Sequence, residues 1–487
     1  MRRGIRSAAS ATERMTMRKF LFCAAVLWGL AACAPRERTV VILSTNDMHA
    51  KIQRFPQLAA AVEACRDTAQ IVVLVDAGDR WTGNAYVDKV PAPGKPMIEL
   101  MNRLGYDAAT LGNHEFDHGQ AYLGRMIDSM DFEVVCANAV SDTATFPQLK
   151  PYVILRRGGV RIGIVGAVTN YEGPGHPAGN RSSFVGVEFP DPQAEARRYA
   201  AELRPKVDVL VLLSHMGDDR DLELLASGGA PFDLVIGGHT HVVRDTVVGG
   251  ALLTQTGKDL RNVGATTIRL RGRKVESIGF RLVPLSDYEP DALFAEQVAH
   301  YYADPELNRP VGELAAAADK QALANWMAAA VADEADAEVG FYHIGGVRLD
   351  SLSAGGVSRA RVYDLEPFGT RIALMGMTPE QMRRMIVAKY NESSREGHRI
   401  DLVSTTPYAI VTDGADRAVD VRFPELEERR IYLVAVGDYV FRNYKGLEYA
   451  GGMILGKEVA EALIEELEDD SPIVPDRSVR QTVKVRE

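Results

Sequence analysis

Five short polar stretches carry most of the metal-ligating side-chain types in the first half of the chain. In order they are Asn46-Asp47-Met48-His49, Asp76-Ala77-Gly78-Asp79, Gly112-Asn113-His114-Glu115-Phe116-Asp117, Ser214-His215-Met216-Gly217 and Gly237-Gly238-His239-Thr240-His241. Carboxylate, imidazole and amide oxygen suit hard or borderline divalent ions such as Mn²⁺, Mg²⁺ or Zn²⁺. A carboxylate shared by two such ions bridges them, and the pair can polarise a phosphoryl oxygen and generate hydroxide at neutral pH. Singly, each stretch is weak, since Asp-x-His is commonly a turn and a lone His is commonly solvated. Together they hold five of the 10 histidines and recur in order behind apolar runs. That combination points to a dinuclear hydrolase.

The elements that must position these stretches are readable from β-branched runs at 39–44, 71–75, 134–137, 161–165, 207–213 and 232–236. Near-continuous apolar runs predict strands covered on both faces. Helical stretches are expected at 55–65, 97–104, 119–129 and 193–203. Loops at the carboxyl ends of strands in such a sheet line one crevice, where the five stretches can converge. Residues 252–285 turn to strand after strand, which predicts an α/β protein with a two-layer αββα sandwich over 39–285 rather than a simple doubly wound sheet. A helical linker is expected over 286–311, around a helix at 292–302. A smaller α/β domain follows over 312–487, with helices at 323–335, 379–390 and 457–467 and strands at 408–412 and 430–436.

The 487 residues are 46% hydrophobic and 25% charged, as in a soluble globular protein of two or more domains. A net charge of −10 with no basic block argues against binding a nucleic-acid polymer. At the N-terminus, Met17-Arg18-Lys19 precedes an apolar run from Phe20 to Ala32, too short to span a bilayer but suited to a signal peptide. The run ends in Leu30-Ala31-Ala32-Cys33, similar to a bacterial lipobox. Residues 1–33, with translation starting at Met1 or Met17, are therefore read as a lipoprotein signal, with membrane attachment through lipidated Cys33. The expected location is the periplasm or the outer surface of a bacterium. Cys65 and Cys136 remain in the body and could pair or stay free, and the oligomeric state is left open.

Asp-x-His, Gly-Asp, Gly-Asn-His-Glu, His and Gly-His-x-His in this order resemble the calcineurin-like metallophosphoesterases. The forms Thr45-Asn46-Asp47-x-His49, Gly112–Asp117, Ser214–Gly217 and Gly237–His241 are similar to the 5′-nucleotidase branch, which includes bacterial 5′-nucleotidase/UDP-sugar hydrolases. The resemblance implies two divalent ions (Mn, Mg, Zn or Co). Asp47, His49 and His241 would hold the first, Asn113, His215 and His239 the second, and Asp79 would bridge. It further implies that His114 is the catalytic imidazole, oriented by Asp117, and that metal-bound hydroxide attacks without a phospho-enzyme.

In that branch the second domain binds the organic part of the substrate through an Asn-x-Gly-x-(Ile/Val)-Arg loop, a Pro-Phe-Gly turn and two rings that sandwich a base. Here the loop reads His343-Ile344-Gly345-Gly346-Val347-Arg348, with His343 in the place of Asn. Arg348 fits an oxyanion clamp, or alternatively a structural ion pair. Pro367-Phe368-Gly369 matches the turn, and Phe368 is expected in the core. The stretch for the first ring reads Ile400-Asp401-Leu402-Val403-Ser404-Thr405-Thr406, without an aromatic, and Tyr439 stands at the second, as a base-stacking or a core tyrosine. Gly-Gly-Asp-Gly is replaced by a stretch containing Tyr444, Lys445 and Gly446. The expected substrate is a nucleoside 5′-monophosphate or related small phosphate ester. The alternatives are a nucleotide-sugar pyrophosphate, a 2′,3′-cyclic phosphodiester or a sugar phosphate, a sulfur compound more remotely, or a non-catalytic binding lipoprotein.

Overall fold

A computed structural model describes residues 37–142, 144–171, 175–392, 400–447 and 451–486. The signal segment read at 1–33, with Cys33, lies outside the described residues. The apolar runs of the first half form two six-stranded sheets. In the first, Glu37–Thr45, Val72–Asp76, Ala108–Ala109 and Glu133–Val134 run parallel, and Asn262–Arg271 and Lys274–Pro284 extend it antiparallel beyond Glu37–Thr45. In the second, Val160–Val168, Val209–His215, Leu234–Ile236 and Ala251–Thr256 run parallel between antiparallel edges at Tyr152–Arg157 and Val243–Val248.

Alternation along the strands explains why the runs read as continuously apolar. Val40, Ile42, Val73 and Val75 of the first sheet meet Ile162, Ile164, Val211 and Leu213 of the second in one fully buried cluster. The intervening residues point outward into helical layers instead. Val41, Leu43 and Leu74 pack under the helices Phe55–Arg66, Lys95–Leu104, Gln120–Ile127 and Ala292–Tyr301. Val165, Leu210 and Leu212 pack under Pro192–Leu203 and Asp218–Ala226. Each such side chain contributes about 1.5–3 kcal/mol by leaving water. The αββα sandwich is thus two sheets, each with a helical coat.

The helix Ala292–Tyr301, expected in the linker, starts where Asp291 accepts hydrogen bonds from the Leu293 and Phe294 amides, each at 3.0 Å. Its Phe294 stacks on Phe55 at 6.0 Å between ring centroids, so this part of the segment is fastened to the first domain. Beyond it, a five-stranded sheet runs in the order Leu402–Ser404, Val339–His343, Tyr432–Gly437, Arg371–Met377 and Gly452–Glu458. Lys320–Glu334 and Val459–Asp470 cover one face and Pro379–Glu392 the other. The helix expected to begin at Lys457 begins at Val459, because Lys457 is still in the preceding strand. Cys65 and Cys136 are both free thiols, which resolves the open pairing. Among the described residues no helix is long and apolar enough to cross a membrane.

The two domains meet beside the site. The amide of Ala85 donates to Asp364 Oδ1 at 3.0 Å, and Tyr86 Oη to Asn308 Oδ1 at 2.5 Å. These contacts bring the loop that follows Val339–His343 over the carboxyl ends of the first domain's strands.

Candidate metal centre and active site

All five polar stretches converge. Asp47 and His49 follow the strand Glu37–Thr45, Asp79 follows Val72–Asp76, Asn113 and His114 follow Ala108–Ala109, His215 ends Val209–His215, and His239 and His241 follow Leu234–Ile236. Potential ligand atoms of Asp47, His49, Asp79 and His241 lie within 4.8 Å of one another, as do those of Asp79, His215 and His239. Asn113 joins the second group, its Oδ1 3.0 Å from His239 Nδ1. Asp79 belongs to both groups. The structure therefore brings together all seven residues singled out as ligands.

The loops are bent sharply to achieve this. Asp47, His49, Asp79, His239 and His241 all have positive φ, between 45° and 79°. That region is sparsely populated by non-glycine residues and persists only where the surroundings hold it, commonly at functional sites. Two glycines allow the close approaches. A Cβ on Gly112 would lie 2.2 Å from Asp79 Oδ1, and one on Gly238 would lie 2.8 Å from His215 Nδ1.

Hydrogen bonds behind the ligands test whether the donor set fits cations. His49 Nδ1 faces the Thr82 carbonyl at 3.1 Å and His215 Nδ1 the Ala77 carbonyl at 2.7 Å. A carbonyl only accepts, so Nδ1 of His215 carries a proton toward Ala77, and the Nε2 atoms of both rings face the cluster. His215 Nε2 is buried with no hydrogen-bond partner, and stands 3.1 Å from Asp79 Oδ2. His49 Nε2 and His241 Nε2 converge to 3.0 Å. Burial alone would lower the His215 pKa, yet the Asp79 and Asp47 carboxylates overcome it and push it up to about 10. Burial likewise works against the Asp79 carboxylate, but His215 and His114 hold it well below its usual range. Around His215 and Asp79 the pocket thus favours positive charge, as a divalent-ion site requires. The residues fit the group.

Other buried groups hold the ligands in place, and the sequence reading assigned them no part. Asn46 donates to Asp47 Oδ2 at 2.6 Å and to the Gly257 carbonyl at 2.7 Å, while its Oδ1 accepts from Thr256. Glu115 accepts the amides of Asp79 at 3.0 Å and Arg80 at 2.8 Å, and also that of Gly112. It therefore clamps the bridging-carboxylate loop to the Asn113 loop. Its place beside Asn113 and His114 was the available signal, but the amides of Asp79 and Arg80 that it accepts are distant in the chain.

His114 lies beside the ligand clusters. Its Nδ1 meets Asp117 Oδ2 at 2.8 Å, and Thr82 Oγ1 donates to the same oxygen at 2.8 Å. The His114 amide donates to Asp79 Oδ1 at 2.9 Å, coupling the imidazole to the shared carboxylate. Burial would disfavour the charged ring, but Asp117 and Asp79 outweigh it and raise the His114 pKa above its ordinary value. Such a ring can donate a proton at Nε2.

From the second domain, Arg348 reaches this centre, with Nη2 3.2 Å from His49 Nδ1. It borders a cleft of about 270 Å³ that also receives His114, His343, Phe368, Tyr439 and Tyr444. Phe368 is not in the core as expected. It is half-buried, its ring stacks near-parallel on His114 at 5.7 Å, and the Arg348 guanidinium lies 5.6 Å from its centroid. The Pro-Phe-Gly turn is carried to the first domain, and only that docking shows what the ring faces. His343 and Tyr439 both line the cleft, their rings 5.0 Å apart and inclined by 31°.

Comparison with known proteins agrees with this geometry. Residues 40–243 match the family model for calcineurin-like phosphoesterase, and residues 304–451 that for the 5′-nucleotidase C-terminal domain. The chain is 24% identical to a 5′-nucleotidase of Vibrio cholerae, over 93% of this chain and 96% of that protein. It is 25% identical to the endonuclease YhcR of Bacillus subtilis over 90% of its own length, but spans only 40% of that larger protein. A 5′-nucleotidase precursor from Thermus thermophilus shares the fold, with a TM-score of 0.79 at 22% identity, over 92% of this chain and 100% of that one. In sequence order, then, the chain carries a calcineurin-like phosphoesterase domain and a 5′-nucleotidase C-terminal domain.

Proposed function

We propose that this protein is an exported hydrolase that uses two divalent ions to release phosphate from nucleoside 5′-monophosphates or related small phosphate esters. The observation that carries the reading is the pair of ligand clusters sharing Asp79. Asp47, His49, Asp79 and His241 would hold one ion, and Asp79, Asn113, His215 and His239 the other. When bound, the ions polarise a phosphoryl oxygen and make water acidic enough to attack at neutral pH. The chain's own side chains do the rest. Asp117 fixes the His114 ring through Nδ1, leaving Nε2 to hold a proton for the phosphoryl oxygens or the leaving oxygen. Arg348 grips phosphoryl oxygens with its guanidinium, and Phe368, lying against both groups, helps keep water from the reacting ester. The nucleotide part of the reading rests on relatives that bear the name 5′-nucleotidase.

Phosphate release supplied with Mn²⁺ tests this, using AMP, UDP-glucose, a 2′,3′-cyclic nucleotide and an aryl phosphate, each with and without EDTA. Chelator-sensitive turnover is expected. No turnover of any of them with any of Mn²⁺, Mg²⁺, Zn²⁺ or Co²⁺ would overturn the assignment and favour a binding lipoprotein. Export and anchoring through Cys33 form part of the same proposal. Labelled fatty acid is expected to attach to the wild-type protein and not to Cys33→Ser, and equal labelling of both would remove the anchor.

A further inference from the structure

The far end of the cleft is built for hydrogen bonding rather than for stacking. Residues 400–406, the stretch expected to carry the first base-stacking ring, hold no aromatic, and Tyr439, at the second position, packs against protein rings. Its face lies near that of His343, at 5.0 Å and 31°, and Tyr444 meets it edge-on at 6.2 Å and 80°. His343 in turn stacks on the buried Tyr342 at 5.3 Å. Phe368 is occupied by His114 and Arg348. A base stacks on an open ring face, and Tyr439 already has His343 against one face and Tyr444 edge-on.

What the cleft offers in their place is a mixture of donors and acceptors. Tyr444, itself buried, donates its hydroxyl to Asp401 Oδ2, and the Lys389 ammonium lies 4.7 Å from the Tyr444 ring centroid. Asp401 and Lys389 both line the cleft. A carboxylate has about four lone-pair sites, so Asp401 retains acceptor capacity beyond the Tyr444 bond. His343 is 9% exposed and lines the same space, yet its Nδ1 has no hydrogen-bond partner. A buried ring nitrogen left without a partner is costly, which points to a ligand atom as its complement. Neighbouring hydroxyls both donate and accept, and so match a carboxylate, an ammonium and an imidazole nitrogen set close together.

We infer that Asp401 and His343 make the distal cleft a reader of hydroxyl groups, so that the preferred leaving group is a sugar or polyol rather than a stacked nucleobase. This rests on the phosphohydrolase reading above and names its substrate class. Asp401 accepts hydrogen bonds from hydroxyls, His343 Nδ1 satisfies a second hydroxyl, and Tyr444 fixes the carboxylate from the side.

The test compares kcat/KM for ribose 5-phosphate, glycerol 3-phosphate, AMP and 4-nitrophenyl phosphate in the Mn²⁺-loaded protein and in Asp401→Asn. Ribose 5-phosphate is expected to exceed AMP, and Asp401→Asn to lower the ratio of ribose 5-phosphate to 4-nitrophenyl phosphate by about tenfold or more. Asn keeps the size of the side chain and an oxygen for Tyr444. As a check independent of any variant, free ribose should compete with 4-nitrophenyl phosphate in the wild type. Preference for AMP over ribose 5-phosphate, an unchanged ratio in Asp401→Asn, or no competition by ribose would each overturn the inference while leaving the hydrolase reading intact. Absence of turnover even of 4-nitrophenyl phosphate would overturn the hydrolase reading and this inference with it.

Discussion

Asp79→Asn is expected to fold normally and to release phosphate from an aryl phosphate on the order of a thousandfold more slowly than the wild type. The expectation comes from where Asp79 sits. It is the one residue common to both ligand groups, and His215 Nε2 lies 3.1 Å from its Oδ2. An amide presents one neutral oxygen, so it cannot bridge two cations or balance their charge. The fold should survive because Asn is among the residues that best tolerate the positive φ found there, 57°. Its Oδ1 can also still accept the His114 amide now bonded at 2.9 Å. Circular dichroism and thermal melting check the fold, and steady-state kinetics with saturating Mn²⁺ check the rate. Wild-type turnover in this variant would remove the bridging role.

His114→Ala is expected to lower kcat by about 10²- to 10⁴-fold, the range for loss of a positioned proton donor. The two variants should separate in kind. The His114 contribution to the ligand loops is its backbone amide, which alanine keeps, so metal binding should persist while turnover falls. What alanine removes is the ring poised between Asp117 Oδ2 and Phe368. Metal titration alongside kinetics makes the distinction. A parallel loss of metal and activity would mean that the ring is structural and that proton transfer lies elsewhere.

The strands and the centre were legible in the amino-acid sequence for a physical reason. Val40–Leu43, Val73–Val75 and Val209–Leu213 are buried on both faces, so their apolar character is uninterrupted and each run announces a strand. The residues that follow them are polar because the carboxyl ends of those strands form one pole, and their spacing along the chain hardly matters. Ala108–Ala109 shows the limit. It is two residues long, with no run to read, although the stretch it leads to was conspicuous.

Elsewhere the decisive contacts are long-range. Phe368 lies between a proline and a glycine, and nothing local says that its partner will be His114, across the domain boundary. Asp401 and Tyr444 are 43 residues apart, joined by a hydrogen bond in a cleft that also receives His343. Glu115 stands within a conspicuous motif, but two of the amides it accepts, those of Asp79 and Arg80, come from another loop. Such arrangements follow from docking and sheet order, which no short window of residues contains.

The central claim is a pair of ions held on either side of one carboxylate, and anomalous scattering from Mn²⁺-loaded crystals tests it most directly. The account predicts two metal peaks per chain, one among Asp47, His49 and His241, the other among Asn113, His215 and His239, with Asp79 reaching both. A single fully occupied peak, or two peaks of which only one touches Asp79, would contradict it.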